Sequence, residues 1–237
     1  MEKSLLFVRS FVFYTGYVLI TLVLAFASLA LFWVFPRTKR DWFNRLWCSI
    51  VLVWCRVVCG IRYQIHGIEN IPSKPVVVLA NHQSEWETLF LYRYLAPISP
   101  ILKKELLAIP VYGWAMRLVK PIAIDRSRRH NAGKSILYQG QQRLRNERSV
   151  MIFPEGTRSE AGKVGKFSRG GAKLAIAAKV PIIPIAHNAG QFWPAHRFLK
   201  YPGTIHVHVG APLETSDRDA SELTTEIEEW IRQNVVD

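Results

Sequence analysis

A histidine and a glutamate five residues apart, His82 and Glu87, have the types and spacing that suit proton transfer. On one ideal helix they would point about 140° away from each other. They meet only if His82 sits in a junction and Glu87 in the first helical turn. A histidine oriented by a carboxylate is the base and orienter of a catalytic triad without its nucleophile. Such a pair takes a proton from a substrate hydroxyl rather than from a protein serine. The same stretch, Ser84-Glu85-Trp86-Glu87, is also a capping box, in which Ser84 caps the helix and Glu87 reaches back to the Ser84 amide. Local pattern leaves both readings open.

The apolar, β-branched run 75–80 feeds directly into Asn81-His82 and reads as a buried strand ending at a strand-to-helix junction, where α/β folds place their sites. Three further runs repeat that arrangement. Residues 99–102 end in Lys103-Lys104, residues 121–124 in Asp125-Arg126, and residues 150–153 in Pro154-Glu155-Gly156-Thr157-Arg158-Ser159. Charged groups from separate strands are thereby delivered to what could be one edge of a sheet. Strands are also expected over 61–65, 180–185 (edge or buried) and 204–209. Helices are expected over 85–95, in parts of 105–118 around Pro110, over 130–148 with an exposed basic face, and over 170–179 and 216–235. The predicted fold class is α/β, a mixed, largely parallel central sheet flanked by helices.

Two other patterns are set aside. Gly133-Lys134-Ser135 resembles the end of a phosphate-binding loop, but residue 128 is Arg where the first glycine is required. His206 and His208 share a strand face, yet without a third ligand they read as ordinary side chains, and no metal site is predicted.

The chain has 237 residues, 49% of them hydrophobic and 12% aromatic, with a net charge of +13. Such a balance suits nucleic acid, an anionic membrane surface or phosphorylated substrates. The amino terminus decides among them. Residues 11–35 carry no charge, a stretch longer than the roughly 20 residues needed to span a bilayer, and too long for a signal-peptide core of about 7–15 residues. It reads as a retained membrane helix. The run 46–58 is shorter and carries Arg56, which suits an interfacial or re-entrant segment. Between them, Arg37-Thr38-Lys39-Arg40-Asp41, with Trp42 and Trp47 behind it, suits the headgroups of an anionic cytoplasmic leaflet. Lys3 and Arg9 make the other end of the first helix positive too, so crossing and dipping both stay open. The expected division is a membrane-embedded two-helix segment over 1–60 and a catalytic domain over 61–237. Nucleic acid is not an expected partner, because it leaves the apolar segment unexplained. Cys48, Cys55 and Cys59 are odd in number and lie in an apolar run, which argues against a disulfide framework.

With these motifs in place, the chain resembles the glycerolipid acyltransferases, specifically those acting on 1-acyl-glycerol-3-phosphate (lysophosphatidic acid). Four blocks match in order: Asn81-His82-x4-Glu87, residues 122–126 (Ile-Ala-Ile-Asp-Arg), residues 153–159 (Phe-Pro-Glu-Gly-Thr-Arg-Ser) and residues 180–185. The first block of the family usually ends in Asp rather than Glu. The second usually begins with a glycine and has an aromatic before Ile-Asp-Arg, where this chain has Lys120 and Ala123. The resemblance implies transfer of an acyl group from an acyl thioester, on coenzyme A or acyl-carrier protein, to the free 2-hydroxyl of lysophosphatidic acid, giving phosphatidic acid for phospholipid synthesis. No cofactor is implied. It assigns His82 and Glu87 to catalysis, and Lys103, Lys104, Arg126, Glu155, Gly156, Thr157 and Arg158 to substrate binding. Glu155 would accept from a glycerol hydroxyl or hold Arg158. Membrane lipids are the expected surroundings, with the catalytic domain on the cytoplasmic side of a bacterial inner membrane. Another lysolipid acceptor such as lyso-ornithine lipid, or a membrane-anchored hydrolase, are the alternatives, the latter without a Gly-x-Ser-x-Gly elbow.

Overall fold

The computed structural model describes residues 3–31, 34, 41–125 and 129–235. The basic residues Arg37, Lys39 and Arg40 and the candidate substrate residue Arg126 lie outside the described residues. Seven strands form one sheet in the order β1-β7-β6-β2-β5-β3-β4. They are β1 Ile61–His66, β2 Val77–Ala80, β3 Ile98–Lys103, β4 Ile122–Ile124, β5 Ser149–Ile152, β6 Ile182–His187 and β7 Gly203–Val209. All neighbouring pairs are parallel except β6 with β7. Both β2 and β6 are buried along their whole length, which is why their sequences read as continuous apolar runs and not as alternating ones. The run 180–185 is therefore part of a central strand, not an edge.

The strands β2, β5, β3 and β4 stand side by side and point the same way. Their carboxyl ends, carrying His82, Glu155, Lys103 and Asp125, consequently emerge along one edge. Sequence spacing anticipated that convergence.

Helices α1 (Lys3–Ala30), α2 (Asp41–Cys59) and α3 (Trp86–Leu95) cover one face of the sheet, and α5 (Arg129–Arg145), α6 (Gly170–Ala178) and α7 (Ala220–Asn234) the other. A short helix, α4 (Tyr112–Arg117), lies beside α1. The first two helices pair with each other through Arg9 Nε to Val58 O (2.6 Å), Trp54 Nε1 to Phe13 O (3.1 Å) and Trp47 Nε1 to Thr21 Oγ1 (3.0 Å). Phe13, Val51, Cys55 and Cys59 pack in one cluster with Val78 and Ile183 of the sheet. Cys48, Cys55 and Cys59 are buried free thiols.

The basic helix stops short of its expected end. Glu147 takes a left-handed conformation (φ 55°), ending the helix, and Arg148 turns inward. Its guanidinium grips both oxygens of Asp41 at 2.5 and 2.8 Å and donates to Ser99 Oγ and to the carbonyls of Ile98 and Val119. Tyr92 donates to the same carboxylate at 2.9 Å. Arg148 thus pins the start of α2 to the sheet and is not part of the exposed basic face.

Candidate active site

The site starts where β2 ends. Asn81 and His187, at the ends of adjacent strands, bond reciprocally. Asn81 Nδ2 donates to His187 O (2.9 Å), His187 N to Asn81 Oδ1 (3.0 Å), and His187 Nε2 to Asn81 O (2.9 Å). Because His187 Nδ1 accepts from the Ala189 amide at 3.3 Å, the ring proton sits on Nε2. Burial lowers the pKa of His187, although Glu87 opposes that shift, and the ring is held neutral. The chain leaving β2 is thereby fixed before it reaches His82.

His82 Nδ1 lies 2.7 Å from Glu87 Oε1. The same oxygen accepts from the amides of Gln83 (3.0 Å) and Ser84 (2.8 Å). One carboxylate therefore ties down the junction amides before the helix and orients the imidazole. The capping box is only half formed, since Ser84 Oγ accepts from Trp86 N (3.1 Å) and the helix begins at Trp86. Glu87 is fully buried. Burial by itself would raise its pKa, while the hydrogen bonds from His82 and the Ser84 amide lower it, and the carboxyl lies below its ordinary value. A carboxylate kept ionised places the ring proton on Nδ1. Nε2, which has no hydrogen-bond partner among the described residues, is then a free base.

Phe153, at the end of β5, stacks on the His82 ring with centroids 4.0 Å apart and planes 9° apart. Glu155 Oε1 accepts from His82 N (2.7 Å), and its Oε2 accepts from Gly165 N (2.7 Å) and from Ser159 Oγ. Ser159 N donates in turn to His82 O (2.7 Å). The histidine is clamped through its ring and both its backbone groups.

The structure brings His82 into direct contact with both Glu87 and Glu155. Glu155 holds the His82 backbone, while Arg158 pairs with Glu85 at 3.6 Å. That differs from one of the two readings of Glu155, that it holds Arg158, because its oxygens are taken by the His82 amide, the Gly165 amide and Ser159 Oγ. Arg158 Nε is buried without a partner. Gly156 makes the tight turn between them with φ 73°, a conformation glycine adopts without penalty, and both Gly156 and Thr157 are exposed. Lys103 is exposed at the end of β3, and Lys104 is 2.5 Å from Asp125.

The acyltransferase family model matches residues 62–188, which contain His82, Glu87, Glu155 and Arg158. The chain belongs to the acyltransferase family. A 1-acyl-sn-glycerol-3-phosphate acyltransferase of Pseudomonas aeruginosa is 47% identical over 204 residues, covering 85% of this chain and 79% of that protein. The Homo sapiens 1-acyl-sn-glycerol-3-phosphate acyltransferase alpha is 33% identical, covering 86% and 71%. The crystal structure of a 1-acyl-sn-glycerophosphate (LPA) acyltransferase from Thermotoga maritima superposes with a TM-score of 0.83 at 24% identity, covering 98% of this chain and 95% of that one. This acyltransferase shares that fold from the amino-terminal helices onward.

Sequence reading missed Phe153 as the platform under His82, and it missed Asn81 with His187 as the anchor. Phe153 lies within a matched block, but nothing local shows that it faces a ring 71 positions earlier. His187 follows a run of apolar residues, which signals burial without naming its partner.

Proposed function

We propose that this acyltransferase moves a fatty acyl group from an acyl thioester onto the free 2-hydroxyl of 1-acyl-glycerol-3-phosphate, giving phosphatidic acid. The observation that carries the chemistry is a base, His82, clamped on Glu87 with Nε2 unoccupied. Nε2 takes the proton of the acceptor hydroxyl as its oxygen attacks the thioester carbonyl. Buried Glu87 stabilises the imidazolium that forms. Collapse of the tetrahedral intermediate breaks the carbon–sulfur bond, and the imidazolium returns its proton to the leaving thiolate. The positive charge that forms on the imidazole is thus met by a carboxylate already in place.

Support for a phosphorylated acceptor comes from the cations along the same edge and from the names of the relatives. Arg158 is loosely held by Glu85 at 3.6 Å, so its forked donors can change partner to a phosphate. Lys103 adds a point charge, and Lys104 is shared with Asp125. Coenzyme A or acyl-carrier protein supplies the thioester.

We place the enzyme on the cytoplasmic side of a bacterial inner membrane, with residues 1–60 as anchor and 61–237 as catalytic domain. Both α1 and α2 are long and apolar enough to cross a membrane. What favours an in-plane hairpin is that α1 packs on protein along its whole length, about 42 Å at 1.5 Å per residue. Ser10 accepts from Lys200 N near one end, and Ala25 and Ser28 line a groove with Tyr112 and Ala115 of α4 near the other. Its opposite side exposes Val8, Phe11, Val12, Val18, Leu19, Val23 and Phe26. A lysolipid and an acyl chain cost about 0.8 kcal/mol per CH₂ to bring into water, so a site lying on the bilayer loads both without extraction.

Product analysis by purified enzyme, supplying lysophosphatidic acid or lyso-ornithine lipid with labelled acyl thioester on each carrier, tests the proposal. Phosphatidic acid is the expected product. Acylated lyso-ornithine lipid alone, or free fatty acid without acylated lipid, overturns it.

A further inference from the structure

The segment between β3 and β4 has a composition unlike the rest of the catalytic domain. Lys103 and Lys104 open it, Arg117 and Lys120 close it, and between Leu106 and Met116 there is no charge. A short 3-10 turn, Lys104–Ala108, leads into α4. Buried Gly113 lets the two dock, because a Cβ there would lie 2.6 Å from the Leu107 carbonyl. Val111 takes φ 62° at the corner, with Tyr112 N donating to Pro110 O at 2.6 Å. The result is a compact knob that leaves Leu106, Ile109 and Trp114 at 37%, 44% and 50% exposure.

The inner side of this knob is accounted for. Tyr112, Ala115 and Met116 face Leu24, Ala25 and Ser28 of α1 and Phe43 of α2 across the groove. Through that inner side the knob leans on α1. A tryptophan and two aliphatics flanked by four cations and one carboxylate, Glu105, have the composition of a bilayer interface.

We propose that Leu106, Ile109 and Trp114 enter an anionic bilayer surface as a third membrane contact, separate from the amino-terminal hairpin. Lys103, Arg117 and Lys120 lie against its headgroups. The contact follows the carboxyl end of β3, so it holds the edge bearing His82 toward the lipid and fixes the tilt that α1 and α2 alone leave free. It rests on the in-plane membrane reading above, and the test separates the two.

Full-length enzyme carrying Ile109→Cys is labelled with an environment-sensitive dye and reconstituted into equimolar phosphatidylcholine and phosphatidylglycerol vesicles, with or without brominated acyl chains. Leu106→Cys provides a second position. Val23→Cys on α1 and Tyr138→Cys, exposed on α5 over the opposite sheet face, are the controls. The native cysteines are buried, and wild-type protein measures their background. The expected result is a blue shift and loss of emission to brominated lipid at 109, 106 and 23 but not at 138. Quenching at 23 without quenching at 109 and 106 overturns the third contact and leaves the hairpin reading standing. No quenching at any of them overturns both.

Discussion

One oxygen of Glu87 lies 2.7 Å from His82 Nδ1 and also accepts the amides of Gln83 and Ser84, while the other oxygen is buried without a partner. Capping and catalysis are therefore separable by charge. Glu87→Gln keeps an acceptor for the three donors but places an amide where nothing accepts it, at a cost of about 1–3 kcal/mol. It removes the charge that stabilises the imidazolium. The variant is expected to fold and to lose about 10²–10⁴-fold in kcat. Near-wild-type turnover would show that Glu87 only caps. Glu87→Asp keeps the charge but retreats by one methylene, so it should fall between wild type and Glu87→Gln.

Phe153 fixes the plane of the imidazole by stacking at 4.0 Å. In Phe153→Ala the ring keeps its carboxylate but gains freedom to rotate away from the hydroxyl. A misplacement of about 1 Å is worth up to about 10² in rate. The expected signature is a fall in kcat with little change in KM for lysophosphatidic acid, and recovery in Phe153→Tyr. An effect confined to KM would instead assign Phe153 to binding.

The buried histidine His187 sets a pH dependence of stability. Its pKa is lowered by burial, so below the unfolded value, about 6.5, the unfolded chain binds a proton that the folded ring refuses. Stability is full above that pH and falls as pH drops through the folded value. His208, lowered by burial and then by His66 and His206, acts in the same direction. Glu87, also lowered, adds a loss nearer pH 4, as pH falls through its folded value. Thermal midpoints between pH 7.5 and 5 should therefore decline less steeply in His187→Gln than in wild type. Parallel declines would remove His187 from this role.

Arg148 and Asp41 tie α2 to the sheet at 2.5 and 2.8 Å with little exposure. Arg148→Ala strands the Asp41 carboxylate and leaves three carbonyl and hydroxyl acceptors empty, at an expected cost of about 3–5 kcal/mol. Arg148→Lys should recover only part of it, because an ammonium cannot grip both oxygens. A thermal midpoint unchanged in Arg148→Ala would mean that packing alone holds α2.

Much of this arrangement was legible in the chain. Apolar runs ending in charged residues located β2, β3, β4 and β5 and the edge they share, because a buried parallel strand leaves a local signature. The meeting of His82 with Glu87 was readable because both lie within one turn of a junction. Contacts across the sequence were not. Arg148 looked like part of a basic helical face, and only the left-handed Glu147 and distant Asp41 turn it inward. Glu155 read as an acceptor for a glycerol hydroxyl or a partner for nearby Arg158, yet one of its oxygens takes an amide 73 positions earlier. The docking of α4 on the 3-10 turn before it depends on a buried glycine and a corner at Val111, which no periodicity reveals.

The central claim is that the free nitrogen of His82 takes the proton of the acceptor hydroxyl. It is tested by the rate of labelled phosphatidic acid formation from lysophosphatidic acid and acyl thioester by purified wild type and His82→Ala, with thermal midpoints confirming that both fold. His82→Ala keeps the backbone contacts to Glu155 and Ser159, and it is expected to lose about 10²–10⁴-fold in rate. Folded His82→Ala that still forms phosphatidic acid within a few-fold of wild type would contradict it.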